Sequence, residues 1–149
     1  MKKIILLSIL IVGFNNTMKA QNDSIPLEKE IQKNAIELAE FWVSQLISAE
    51  NIDTLVSISQ TPFAQDRKKI LTSNDQLREF YQMVFDKKGK RDIDSISSKV
   101  VKFVQSIEDK VIPITALLIE VRVTIKGRES GILVSVQITE SQKIIGFSD

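Results

Sequence analysis

One tyrosine, one tryptophan and scattered acids carry whatever chemistry this chain has, because it contains no histidine and no cysteine. Their absence removes the base that titrates near neutral pH, the thiolate nucleophile and the commonest nitrogen and sulfur metal ligands. Neither a metal nor a cofactor is expected. Tyr81 shares a helical face with Leu77, Val84 and Phe85, so its hydroxyl can be directed into a cavity to donate to a ligand oxygen; the plainer reading is a core ring with its tip at the rim. Asp66 follows Phe63 in a short turn, where a carboxyl of raised pKa would act as a base, although Arg67 beside it suits a solvated turn residue better. Trp42 offers a stacking surface but also continues the apolar stripe of Leu38 and Leu46. Trp42, Phe63, Asp66, Tyr81 and Phe85 form the candidate ligand-binding set, and no residue is assigned a catalytic role. The five glycines are scattered rather than gathered into a phosphate-cradling loop, and no Gly-x-Ser-x-Gly elbow is present.

These residues need helices and strands to position them. From Pro26 to Glu50, Leu27, Ile31, Ala35, Leu38, Trp42, Leu46 and Ala49 recur every three or four residues, and Ile36, Ala39, Val43 and Ile47 widen the stripe. This predicts a long helix, capped by Ser24 and begun at Pro26, with two sides to be covered. Ile52, Leu55, Val56 and Ile58 predict a short helix ending before Thr61-Pro62. Phe63 to Gln65 and Lys69 to Leu71 read as brief strands around Asp66 and Arg67. A third helix starts at Ser73 or Asn74 and closes at Gly89.

Beyond Arg91 the period changes to two. Val101 and Phe103, then Leu117, Ile119, Val121, Val123 and Ile125, then Ile132, Val134, Val136 and Ile138, alternate in runs rich in branched residues. Turns at Gly127 to Gly131 and Glu140 to Gln142 connect them to a last strand, Lys143 to Phe147, while Pro113 interrupts the stretch between the first two. Helices followed by strands imply the α+β class, with an antiparallel sheet carrying helices on one face. The alternation places the aliphatics inward and sends Glu120, Arg122, Ser135 and Gln137 outward. An aliphatic inner wall supplies neither partner nor charge to a buried acid, which argues against catalysis and for a largely apolar occupant. Leu118, Glu120, Arg122, Leu133 and Gln137 make a mixed outer face, a candidate surface for a homodimer.

Lys2 and Lys3 precede an apolar run of 11 residues, Ile4 to Phe14, and a polar stretch ending at Ala20. This is the pattern of a cleavable export signal, residues 1–20, with the cut after Ala20 and a periplasmic or secreted product. At about 1.5 Å per residue the run covers roughly half of a hydrocarbon core about 30 Å thick, so no stable membrane insertion is expected once it is removed. Residues 21–149 suit one domain. Losing Lys2, Lys3 and Lys19 but no acid leaves the mature chain slightly acidic, without the basic excess that nucleic acid requires. The clusters Arg67, Lys68, Lys69 and Lys87, Lys88, Lys90, Arg91 read as solvated surface.

The segment Phe41-Trp42-Val43-Ser44-Gln45-Leu46-Ile47, the short helix through Leu55, Thr61-Pro62-Phe63, the helix Gln76 to Phe85 and the carboxyl end Lys143-Ile144-Ile145-Gly146-Phe147-Ser148-Asp149 together resemble the nuclear-transport-factor-2-like superfamily. The resemblance spans most of the chain after residue 20 and rests on element order and apolar spacing. It implies a cone-like α+β barrel, a strongly curved sheet wrapped around the long helix, often with a cavity at its open end. Ketosteroid isomerases and scytalone dehydratase are similar folds that place acids, tyrosines or histidines inside the cone. Three readings remain at this point: a non-catalytic domain binding a small apolar or amphipathic molecule, a filled cone serving as an interaction module through its outer sheet face, or an isomerase- or dehydratase-like enzyme. The last requires Tyr81 to converge with Asp53, Asp66 or Glu120.

Overall fold

The computed structural model describes residues 20–93, 95–104, 107–108, 113–114, 117–127, 130–138 and 142–149. The expected export signal, apart from Ala20, and most of the turn expected at Glu140 to Gln142 lie outside the described residues. In chain order the elements are α1 (Ala20–Ser48), α2 (Ile52–Ile58), β1 (Ser59–Gln65), β2 (Lys69–Leu71), α3 (Asn74–Lys88), β3 (Ile96–Val104), β4 (Ile107–Glu108), β5 (Pro113–Ile114), β6 (Leu117–Ile125), β7 (Ile132–Ile138) and β8 (Gln142–Ser148). The α+β class is that expected.

Residues 34–149 form one compact unit, and the turns of α1 before Asn34 belong to another. In those earlier turns Gln32 Nε2 donates to Glu28 Oε1 at 3.1 Å, one helical turn away. The helix begins six residues before Pro26, so Ser24 lies inside it rather than capping it. The stretch Ala20-Gln21-Asn22-Asp23 contains no glycine or proline to stop a helix, and a local cap signal does not outweigh a run without breakers. Within the compact unit α1 buries Ala35, Ala39, Trp42, Val43 and Ile47, one face at helical spacing, and exposes Phe41.

Helix α3 has the expected ends, whereas α2 gives way at Ser59 to a β1 that starts four residues before the expected Phe63. Asn51 caps α2, its side chain accepting from the N–H groups of Asp53 and Thr54 at 2.9 and 3.2 Å. Ser73 caps α3 by accepting from Gln76 N at 3.3 Å, and Gly89, at φ 63°, closes it with an N–H bonded to Phe85 O at 2.9 Å.

Six strands form one sheet in the order β2-β1-β8-β7-β6-β3, and β4 pairs with β5 separately. The order ends at β2 and β3 without joining them, so the sheet is open and the barrel implied by the resemblance is not closed. Nor is the sheet wholly antiparallel, because β1 and β8 run parallel. Alternation within a strand sets which face a residue takes; it carries nothing about the direction of a partner from the other end of the chain. Gly146 makes that pairing possible: a Cβ there would lie 2.6 Å from Ala64 O, so only glycine lets β1 approach this closely.

The inner face is in the expected phase. Ile119 faces Val136, Val121 faces Val134 and Val123 faces Ile132, all buried, while Arg122 is exposed. Register shifts between Val100 and Lys102 on β3 and between Ser135 and Val136 on β7 mark irregularities that locally bend and twist the sheet. At roughly 1.5–3 kcal/mol per fully buried large apolar side chain, this wall and the α1 stripe supply the main favourable term for folding.

Candidate ligand-binding pocket

Four elements bring five aromatic rings into one layer. Trp42 of α1 lies 6.3 Å from Phe63 of β1, 6.4 Å from Tyr81 of α3 and 5.4 Å from Phe147 of β8, measured between ring centres. Phe80 packs 5.2 Å from Tyr81 and 5.7 Å from Phe147. Trp42, Phe63 and Tyr81 are 0% exposed. Such burial is favourable only if the polar tips of Trp42 and Tyr81 find partners. Trp42 Nε1–H donates to Tyr81 Oη at 3.1 Å, and Tyr81 Oη lies 2.6 Å from Ser59 Oγ. Ser59 Oγ–H is committed to Leu55 O at 2.7 Å, so the tyrosine hydroxyl must be the donor to Ser59. The chain runs Trp42 to Tyr81 to Ser59 to the last turn of α2. Burial raises the Tyr81 pKa to about 12, against the smaller lowering effect of its bonds to Ser59 and Trp42, so the phenol stays neutral.

Phe80 and Phe147 also line a pocket of about 210 Å³. Leu46 and Ile47 of α1, Met83 and Val84 of α3 and Ile132 of β7 complete its apolar wall. Its polar lining comes from Lys87, Lys88 and Arg91 at and beyond the end of α3, and from Gln65, Asp66 and Asp149. Asp66 is held by its turn: Lys68 N–H bonds Gln65 O at 3.0 Å, and Asp66 and Arg67 both take left-handed φ values, 50° and 56°. That is the pattern of a primed hairpin turn, and Asp tolerates it better than most residues. Asp66 N–H then donates to Phe147 O at 2.9 Å, and Asp66 Oδ1 accepts from Asp149 N at 3.1 Å, which fastens the turn to the end of β8.

Of the five candidate residues, only Asp66 lines this pocket. Trp42, Phe63 and Tyr81 form the layer behind its wall. Phe85 borders a broader groove of about 940 Å³ between α2 and α3, open to solvent along most of its extent, with Met83, Asp53 and Arg78. Along α3, Phe80, Val84 and Lys88 line the pocket and Phe85 the groove, while Met83 and Lys87 border both. Lys87, Lys88 and Arg91 are exposed, as expected of solvated surface, and they also line the pocket. Their signal was the spacing 80, 84, 87, 88, which continues an apolar face into basic residues.

The acids considered for catalysis do not meet Tyr81. Its bonds are to Trp42 and Ser59, whereas Asp53 bonds Arg78 and Glu120 lies 3.8 Å from Arg67. On the outer sheet face Arg122 is exposed and Leu133 half-buried. Leu118 and Gln137, opposite one another on β6 and β7, are each only 7% exposed within a single chain, so they present little surface to a second copy. Among the described residues no helix is long and apolar enough to cross a membrane, and no three acidic side chains group as metal ligands.

No protein-family model and no curated protein matches the chain. Among solved structures it is similar to a domain of unknown function with a cystatin-like fold from Nostoc punctiforme, at 17% identity and a TM-score of 0.39, over 81% of this chain and 74% of that one.

Proposed function

We propose that this is an exported, non-catalytic domain of the nuclear-transport-factor-2-like kind, which binds a small apolar or amphipathic molecule at the open end of its curved sheet. The observation that carries the reading is the pocket walled by Phe80, Phe147, Ile132, Leu46, Ile47 and Val84, with charged groups confined to its other lining residues. At about 210 Å³ it lies below the roughly 300–1,000 Å³ of drug-sized sites, so its occupant is small. Support for a non-catalytic role comes from Tyr81, whose hydroxyl is engaged on both sides and whose proton is held to about pH 12. Export rests on Lys2, Lys3 and the Ile4 to Phe14 run, and mass spectrometry of the exported protein should give Gln21 as its first residue.

Trp42 is the only tryptophan and touches the back of the pocket wall through Phe147, so its emission reports on occupancy. Titration of the full mature chain with small amphipathic compounds, phenylacetate and phenylacetamide among them, should give a saturable change in emission. Val84→Phe, which fills the pocket from α3, should abolish it while leaving the circular dichroism unchanged. A flat response to every compound, or a saturable one that Val84→Phe leaves intact, sinks the reading.

A further inference from the structure

We infer that the pocket selects a small organic anion, its apolar body against Phe80 and Phe147 and its carboxylate-like head at Lys87, Lys88 and Arg91. The inference rests on the binding reading above and adds to it the sign of the ligand's charge. Three other cations have partners, Arg67 with Glu120 at 3.8 Å, Lys90 with Glu50 at 3.7 Å and Arg78 with Asp53, whereas Lys68 and Lys69 of the β1–β2 hairpin have no carboxylate within 4.0 Å among the described residues. The three cations of the pocket have none, since among the described residues no carboxylate lies within 4.0 Å of Lys87, Lys88 or Arg91. Asp86, the acid preceding Lys87, accepts instead from Gln82 Nε2 at 2.8 Å.

Position gathers the three cations. Lys87 and Lys88 occupy the last turn of α3, whose terminal carbonyls favour positive charge and offset part of it, and Arg91 is held near them by its N–H bond to Ile47 O at 3.2 Å. Asp66 and Asp149 line the same pocket, but they come from the β1–β2 turn and the end of β8, and the Asp149 N–H already donates to Asp66. Three cationic and two acidic residues therefore line the pocket, and Asp66 already accepts a hydrogen bond. An exposed ammonium in bulk water gains little from an anion, because water screens the pair. Beside an apolar wall that excludes water on one side, the same attraction is stronger. An amphiphile that buries its body on Phe80 and Phe147 carries its head to this place.

Three probes that share a benzyl group and differ in charge test the inference on the full mature chain: phenylacetate, phenylacetamide and phenethylamine, followed by Trp42 emission and calorimetry at low salt. Phenylacetate should bind roughly ten-fold more tightly than phenylacetamide, with phenethylamine weakest. Added sodium chloride should shrink that preference while leaving phenylacetamide unchanged. The triple variant Lys87→Ala, Lys88→Ala, Arg91→Ala should bring the two within about two-fold, and the single variant Lys87→Gln should reduce the preference in part. Equal binding of phenylacetate and phenylacetamide overturns anion selection and leaves the binding reading standing. Tightest binding of phenethylamine overturns it in favour of recognition by Asp66 and Asp149. A preference that survives the triple variant also overturns it, and binding of no probe removes the underlying reading itself.

Discussion

The aromatic layer and the pocket share two rings, Phe80 and Phe147, and treat their polar groups in opposite ways. On the inner side Trp42, Tyr81 and Ser59 pass a chain of hydrogen bonds to Leu55 O, leaving no donor of that chain without an acceptor. On the outer side three cations stand without a carboxylate partner among the described residues. A buried donor left unpaired costs stability, so folding itself enforces the inner network. An exposed charge stays solvated without a partner, so nothing in folding requires the rim to be neutral. Stability and binding therefore fall on opposite sides of one pair of phenyl rings and should respond to different substitutions.

The sharpest break in that separation is Trp42→Ala. Removing a fully buried indole at the centre of the layer should cost about 3–5 kcal/mol, read as a lowered urea midpoint. It also removes the ring behind Phe147, so calorimetry should show weakened phenylacetate binding in whatever protein remains folded. The triple substitution at Lys87, Lys88 and Arg91 should leave the urea midpoint nearly unchanged. Equal loss of stability in both variants would mean that the two regions are one.

Alkaline titration tests the inner network without mutation. Tyr81 has a folded pKa of about 12 against 10.0 for a free phenol. Because the folded value is the higher, the protonated phenol favours the native state, and its contribution is fully present below pH 10. It is lost as pH rises from 10 to about 12, and at about 1.4 kcal/mol per pH unit the loss is on the order of 2–3 kcal/mol. Tyr81→Phe should remove that decline and, at neutral pH, cost about 1–3 kcal/mol by leaving the Trp42 N–H unpaired. Chemical denaturation of both proteins at pH 8, 10 and 11.5 separates the effects. Parallel declines would show that some other group titrates.

The sequence made the elements legible where a period ran unbroken and a cap stood at its end, as in α3 between Ser73 and Gly89 or β6 from Leu117 to Ile125. It also set the phase of the sheet, because Val121 and Val123 on one side of Arg122 leave a single register that buries them. The parallel pairing of β1 with β8 was not legible, since it depends on a close approach at Gly146 that no neighbouring residue signals. The site was half legible. Trp42, Phe63 and Tyr81 do lie together, but periodicity assigns them to a common core without saying which side of that core is hollow. That depends on Phe147, which reaches the layer from the far end of the chain, and on where α3 stops, which leaves the exposed Lys87 and Lys88 beside the pocket.

Glu120 tests whether the two-sided division extends to the other face of the sheet. Its side chain is only 16% exposed, as an inner residue would be, yet its partner Arg67 is 68% exposed at 3.8 Å, as a rim residue would be. If the pair behaves as a surface contact, Arg67→Ala should change stability by no more than about 0.5 kcal/mol. Arg67 also sits at φ 56°, a left-handed conformation that costs a side-chain-bearing residue roughly 1–2 kcal/mol, whereas glycine adopts it freely but gives up about 0.5–1 kcal/mol in chain entropy. Arg67→Gly should therefore match or slightly exceed Arg67→Ala in urea midpoint, since both lose the charge and only glycine relieves the backbone. A loss above about 1 kcal/mol in both variants alike would instead identify Glu120 as a carboxylate that depends on its partner, because a half-buried charge deprived of its counter-ion costs more than the pair itself contributes.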